Sequence, residues 1–460
     1  MKYTDAAHFA EKREYIRRGY SLNFHHRRGM LETLKAAIRE REDDILEALE
    51  TDLGKTGIEA YASEIAFVYS EIDYALKHLR RWMKAKKVSS PLLLLPGSSR
   101  IYPVPKGIVL IISPWNYPFQ LLMAPLVAAI AGGNAAVLKP SELTPATAEV
   151  IEKIIHSSFT HDFLSVVCGE GHLAVPELIG DGDIDHVFFT GSVPIGRKVA
   201  VMAAERLIPV TLELGGKSPA IVHSDADIPV AARRIAYGKF LNAGQTCVAP
   251  DYLLVHRDVR DSLVDALIGE IRRMYPDGAA ASPDYGKIVN QSRLKVLQAY
   301  LSQGSVIFGG DSEDARRYLG PTLMENCGDD SAVMNEEIFG PILPLEVYGD
   351  TEEAIARVEN NPNPLALYLF TKDRALEREL TQRLSFGGGC VNDTISHLLN
   401  PALPFGGIGS SGQGRYHGKF GFDELTQSRA MVKRPTWFDP GLKYPPYSPR
   451  ALEMLRKYAK

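Results

Sequence analysis

Between residues 108 and 214, short uninterrupted apolar runs alternate with longer stretches in which apolar residues recur every three or four positions. The short runs suit strands buried on both faces, and the longer period suits helices. The pattern predicts strands at 108–112, 135–139, 164–168, 186–190 and 209–214, with helices at 119–130, 145–156, 173–179 and 195–204. A second series begins at 220, with strands at 252–255, 305–308, 343–347, 367–370 and 389–391 and helices at 260–274, 351–358 and 374–384. Such alternation implies doubly wound parallel sheets. Two series in succession imply two α/β lobes with a cleft between them. Ahead of them, 31–50 and 63–82 carry helical spacing, and the stretch from 89 to 107 reads as an extended excursion.

One segment tests this reading. No charged residue occurs from Gly107 to Leu138, longer than the roughly 20 residues that span a bilayer. Pro114, Asn116, Pro118, Gln120, Pro125 and Gly132-Gly133-Asn134 interrupt it, so it reads as strand, loop, helix and strand. A helix packed under a parallel sheet is apolar nearly all round, which accounts for the missing charges.

Composition narrows the function. Over 460 residues, 45% are hydrophobic and 23% charged, and the net charge is −4. That is a globular mixture with no general attraction for nucleic acid or acidic membranes. The basic cluster Lys77, Arg80, Arg81, Lys84, Lys86 and Lys87 reads as a solvated helix face. Four widely spaced cysteines, without CxxC, predict free thiols in a reducing cytoplasm. The histidines, His25 and His26 included, show no metal-ligand spacing. Met1-Lys2-Tyr3-Thr4-Asp5 opens a polar stretch with no leader-like apolar region.

Candidate chemistry gathers in loops. Cys247 ends Gly244-Gln245-Thr246-Cys247, and Glu213 precedes Leu214-Gly215-Gly216-Lys217. A thiol needs a neighbour that takes its proton before it attacks carbon, and a carboxylate is such a neighbour. Asn116, in Pro114-Trp115-Asn116-Tyr117-Pro118, could donate to an oxyanion. Lys139-Pro140-Ser141-Glu142 and Phe189-Thr190-Gly191-Ser192 close two strands where open sheets bind ligands, and Gly191 opens a helix whose N-terminus suits phosphate. Each has a plainer alternative: an inert thiol, a salt-bridge partner, a proline-rich turn, a structural glycine.

The combination is more specific. Those motifs occur in that order and are followed by Glu336-Glu337-Ile338-Phe339-Gly340-Pro341 and Pro404-Phe405-Gly406-Gly407. Together they resemble the aldehyde dehydrogenase superfamily over most of the chain. The length and the Tyr444-Pro445-Pro446-Tyr447 tail resemble its class 3 and fatty-aldehyde branch.

The resemblance implies two doubly wound α/β lobes and a small β oligomerisation arm. It places an NAD(P)-binding domain at 1–88 and 108–214, a catalytic domain at 215–411, the arm at 89–107 and 412–432, and a tail at 433–460. It implies Cys247 as nucleophile, Asn116 and the Cys247 amide as oxyanion donors, and Glu213 as the base that hydrolyses a thioester. Lys139 and Glu142 would surround the adenine ribose, Gly191 and Ser192 the pyrophosphate, and Glu337 and Phe339 the nicotinamide. Glu142 favours NAD, with NADP possible. The expected substrate is a medium- or long-chain aliphatic or an aromatic aldehyde, with Tyr117 lining its tunnel. The expected assembly is a homodimer with no metal and no membrane anchor, because the chain ends in Arg456-Lys457-Tyr458-Ala459-Lys460. Two other readings stay open: a CoA-acylating aldehyde dehydrogenase, which typically lacks the base glutamate, and a cofactor-free cysteine esterase.

Overall fold

The computed structural model describes Tyr3, residues 6–441 and residues 444–458. Met1, Lys2, Thr4 and Asp5 of the opening stretch, and Ala459 and Lys460 of the tail, lie outside the described residues.

The first series folds into one sheet. Its parallel strands run in the order Val210–Glu213, His186–Thr190, Ile108–Ile112, Ala135–Lys139 and Leu164–Val166, and Gly412–Gln413 adds an antiparallel edge. Ile108–Ile112, Ala135–Lys139 and His186–Thr190 are buried at every residue, as their unbroken apolar runs require. From Ile108–Ile112 the chain works outward to Leu164–Val166, then returns to the other side of its starting strand. That reversal opens a crevice at the carboxyl ends of Ile108–Ile112 and His186–Thr190, the usual ligand position in such sheets.

The charge-free segment is internal. Helix Gln120–Gly132 is buried at all of its residues, and Gly133, at φ 84, ends it. Other boundaries moved. Helices Gly171–Asp181 and Val193–Glu205 begin two residues earlier than their apolar spacing suggests, because Gly171-His172 and Val193-Pro194 show no helical period of their own. The stretch 31–50 belongs to two helices, Phe24–Glu40 and Glu42–Leu53, broken at Arg41 with φ −120. Before Ala66–Trp82 lies a π-helical turn, Tyr61–Ile65.

The second sheet orders its strands Ser305–Phe308, Thr322–Glu325, Ile342–Tyr348, Tyr252–His256, Pro219–Val222, Ala366–Phe370 and Gly388–Val391. All neighbouring pairs are parallel except Ser305–Phe308 with Thr322–Glu325. A third, antiparallel sheet joins Lys86–Val88, Ser98–Pro105 and Thr426–Lys433. Thr426–Lys433 is exposed from its second residue onward. No helix among the described residues is long and apolar enough to cross a membrane. None of their His, Cys, Asp and Glu side chains cluster as a metal site.

Candidate active site

Cys247 follows a left-handed turn. Asn242, Ala243 and Gly244 have φ of 53, 51 and 74. For the two that carry a Cβ this conformation costs about 1–2 kcal/mol each, so neighbours must hold it. Asn242 N donates to Glu59 Oε1 at 2.9 Å, and its Nδ2 to the carbonyls of Asn116 at 2.9 Å and Gln245 at 3.1 Å. The Gln245 amide donates to Asn242 O and Lys287 O, both at 3.0 Å, and accepts from Val289 N at 2.9 Å. Gly244 is doubly required, because a Cβ there would also lie 2.2 Å from Gly340 O.

Asn116 is fixed from the other side. Its carbonyl accepts from Lys55 Nζ at 2.7 Å, and its Nδ2 donates to Gln245 O at 3.0 Å. An amide nitrogen has two N–H groups, so one remains for an oxyanion. Lys55 is itself buried, 2.6 Å from the buried Glu64 Oε1 and 3.8 Å from the Tyr117 ring centre. Glu64 Oε2 accepts from Phe119 N at 3.1 Å and Gln120 N at 2.9 Å, at the start of the buried helix. Tyr117, expected in the tunnel wall, bonds Thr246 Oγ1 at 2.6 Å. It braces the catalytic loop.

Three acidic groups compete for protons here. Burial, and then Glu337 and Glu213, push the Cys247 thiol up to about 12, while the amides of Cys247 and Val248 pull it back. Cys247 as a residue is only half-buried in an otherwise buried loop. Glu213 is 2% exposed, and neither of its oxygens has a hydrogen-bond partner. Burial raises it well above the ordinary carboxylate range against the pull of Arg415. Burial and Asp251 raise Glu337 to about 8, and its Oε1 is also unpartnered. Gly215 gives this carboxylate its place, since a Cβ there would stand 2.0 Å from Glu337 Oε2.

The remaining candidates lie along the crevice. Lys139 Nζ donates to Pro140 O at 2.7 Å and Glu142 Oε2 at 3.3 Å, and Gly171 N donates to Glu142 Oε1 at 3.2 Å. Burial opposes ionisation of Glu142, but its own backbone amide, Lys139 and Gly171 outweigh it and hold the group below the usual range. Gly191 N donates to Glu213 O at 3.0 Å, which ties that loop to the base candidate. Ser192 caps Val193–Glu205 without a side-chain bond to the helix. Its free first-turn amides suit a phosphate. Phe339 adopts φ 47 and meets Trp115 edge-on at 5.3 Å.

The structure thus brings Cys247, Glu213, Asn116 and Glu337 to one place and sets Lys139, Glu142, Gly191 and Ser192 at the ends of neighbouring strands. Sequence reasoning missed the supporting charges Lys55, Glu59 and Glu64. It also missed the buried Lys217–Asp251 pair at 2.5 Å, whose lysine donates to Val333 O and Glu336 O and so delivers Glu337. Charged residues on helices and near turns carry no local sign of burial.

Comparison with known proteins agrees with this geometry. The family model described as the aldehyde dehydrogenase family matches residues 4–431. The chain is 49% identical over 423 residues to 4,4'-diaponeurosporen-aldehyde dehydrogenase of Staphylococcus aureus, covering 92% of each chain. It is 42% identical over 445 residues to mouse aldehyde dehydrogenase family 3 member B1, covering 96% of this chain and 95% of that one. A substrate-bound structure of Staphylococcus aureus AldH superposes with a TM-score of 0.96 at 46% identity, over 99% of both chains. The unpartnered Glu337 Oε1 and the helix start at Ser192, which has no side-chain cap, also fit a nicotinamide dinucleotide. The chain belongs to the aldehyde dehydrogenase family, in its class 3 branch, and oxidises aldehydes in an NAD(P)-dependent reaction.

Proposed function

We propose that the oxidation proceeds through a covalent adduct on Cys247 that water, activated by Glu213, releases as a carboxylic acid. The observation that carries this is Glu213, a buried carboxylate with two unpartnered oxygens in the electrostatic field of the thiol. Cys247 Sγ forms a bond to the aldehyde carbon while its proton passes to a carboxylate. Burial raises the thiol and the carboxylates in the same direction, which makes each carboxylate a stronger base than an exposed one. Asn116 Nδ2 and the Cys247 amide hold the negative oxygen. NAD(P), when bound, supplies the hydride acceptor. The acyl group is then a thioester on Cys247. Glu213 takes a proton from water, the water oxygen bonds the acyl carbon, and the C–S bond breaks.

Glu213→Gln should form acyl-enzyme normally but hydrolyse it on the order of 10²–10⁴-fold more slowly. The trace of reduced cofactor would then show one burst and a slow steady state. Because Glu213 works as a base only when ionised and burial raises its pKa, wild-type deacylation should climb with pH over a range above that of an ordinary carboxylate, and the variant should lose that climb. An unaltered steady-state rate would remove the assignment. Adding CoA should not accelerate the wild type; dependence on CoA would favour the acylating alternative.

Lys139, Glu142, Gly191 and Ser192 are proposed to hold the adenosine diphosphate part of the cofactor, and Glu337 and Phe339 the nicotinamide end. The proposed domains are 1–88 with 108–214 for the cofactor and 215–411 for catalysis. An ionised Glu142 repels a ribose 2′-phosphate, so NAD is the proposed preference. Glu142→Ala should raise the NADP-to-NADP+NAD share of turnover by reducing that repulsion, read as a ratio of kcat/KM values about tenfold nearer to NADP. No change in the ratio would overturn this role. The substrate class proposed is apolar aldehydes of medium or greater length, or aromatic ones; the staphylococcal relative is named for such a dehydrogenase of 4,4'-diaponeurosporen-aldehyde. A homodimer is proposed through the arm, where Met431 and Val432 stand 53% and 48% exposed.

A further inference from the structure

Behind Glu213 runs a chain of polar groups that the reaction does not touch. Lys106 Nζ meets His186 Nδ1 at 3.0 Å, His186 Nε2 meets Thr211 Oγ1 at 2.8 Å, and Thr211 Oγ1 donates to Glu424 Oε1 at 2.7 Å. Burial, helped by Lys106, keeps the His186 ring neutral, down to about 3. An ammonium only donates, so Nδ1 accepts, Nε2 carries the ring proton, and the Thr211 hydroxyl turns its own hydrogen to Glu424. Every donor points the same way, and the Glu424 carboxylate stands at the accepting end. Both ends lie at the root of the arm. Lys106 directly follows strand Ser98–Pro105, and Glu424 ends helix Gly418–Glu424 just ahead of strand Thr426–Lys433.

This chain reaches the base through its own strand and through two glycines. Thr211 stands two residues before Glu213 in strand Val210–Glu213, so their side chains share a face. A Cβ on Gly414 would lie 2.9 Å from both Glu424 Oε1 and Thr211 Cγ2. One on Gly406 would lie 2.6 Å from Gly414 O and 3.0 Å from both Glu213 Oε1 and Arg415 Cδ. Gly406 alone thus separates Glu213 from Arg415, and Gly406 with Gly414 separates it from Glu424. Arg415 Nη1 donates to Gly407 O and, at 2.8 Å, to Gly414 O. These neutral carbonyls hold the guanidinium without cancelling its charge.

Only a few other groups bear on Glu213. The Cys247 thiol and the Tyr416 hydroxyl share its field, and burial pushes both up, the thiol to about 12, so near neutral pH neither is charged. Beyond the burial that dominates, Arg415 favours the ionised form of Glu213 and Glu424 opposes it.

We propose that Arg415 and Glu424 are positioning residues for deacylation, a cation and an anion set behind the glycines next to the base and acting on the reaction through Glu213. This rests on Glu213 as the base. The probe is the decay of acyl-enzyme formed from hexanal and NAD, followed by rapid quench and intact mass across pH. Glu424→Gln keeps an acceptor for Thr211 and removes only the charge, so the rising limb should move to lower pH by about half a unit to one unit. Below that limb, decay should become about three- to tenfold faster. Arg415→Met should move the limb to higher pH by a similar amount, Arg415→Lys should restore most of its position, and Glu424→Gln/Arg415→Met should fall between the two single variants. A purely structural loss would lower the whole profile without moving it. Thermal melting checks folding, and the isosteric Glu424→Gln decides alone if Arg415→Met does not fold. A limb that stays in place in folded Glu424→Gln, while Glu213→Gln abolishes it, overturns the proposal and leaves the base reading intact. A limb that persists in Glu213→Gln overturns both.

Discussion

Cys247→Ala should lose aldehyde oxidation by a factor on the order of 10⁴ or more, together with any ester hydrolysis. No other described thiol can replace it. Cys390, in strand Gly388–Val391, and Cys327, just past strand Thr322–Glu325, are tied to neighbouring polar atoms, and Cys168 is exposed at the end of the cofactor-side sheet. The loop itself should survive, because Asn242, Gln245 and Gly244 hold it through backbone and amide contacts in which the sulfur has no share. The melting temperature should therefore stay within a few degrees of wild type, about the shift of a 1 kcal/mol change. Reduced-cofactor formation and hydrolysis of an aryl ester, measured on the same folded sample, are the two readings. Oxidation that persists in the alanine protein would exclude a covalent route through this residue.

The second large effect is expected at a residue far from the chemistry in sequence. Lys55→Met should destabilise the protein by about 3–5 kcal/mol, because it leaves Glu64 charged and buried without its partner. It also removes the donor to Asn116 O and the cation over Tyr117, so kcat should fall along with stability. The double variant Lys55→Met/Glu64→Gln removes both charges and should recover part of the loss. Urea unfolding of the two single variants and the double isolates the coupling. A single variant as stable as wild type would mean that the pair does not support the loop.

What the sequence discloses depends on how far burial leaves a local trace. Ile108–Ile112, Ala135–Lys139 and His186–Thr190 are unbroken apolar or nearly apolar runs, so their places in the sheet are legible. The strands Thr322–Glu325 and Pro219–Val222 are short and bounded by turn residues, and the reading offers no separate strand for them. Cys247, Glu213 and Asn116 stand in recognisable motifs. Lys55 and Glu64 do not: in a helical, charge-rich stretch each looks like an ordinary surface residue, and only the fold puts them at 0% exposure. Tyr117 is legible as an aromatic near the site, but its hydroxyl partner Thr246 lies far along the chain.

The π-helical turn at Tyr61–Ile65 gives the N-terminal helices an unusual sensitivity to length. An i→i+5 turn lodges one more residue than an α turn, and each α-helical residue rotates the following side chains by about 100°. Glu59 lies just before this turn and Glu64 within it, one bonded to Asn242 and the other to Lys55. Deleting any single residue between them would let the helix relax to its regular form and swing one carboxylate off the interior. Point substitutions on the outer side of that turn should be tolerated; a one-codon deletion should not, although it removes no group that touches the substrate.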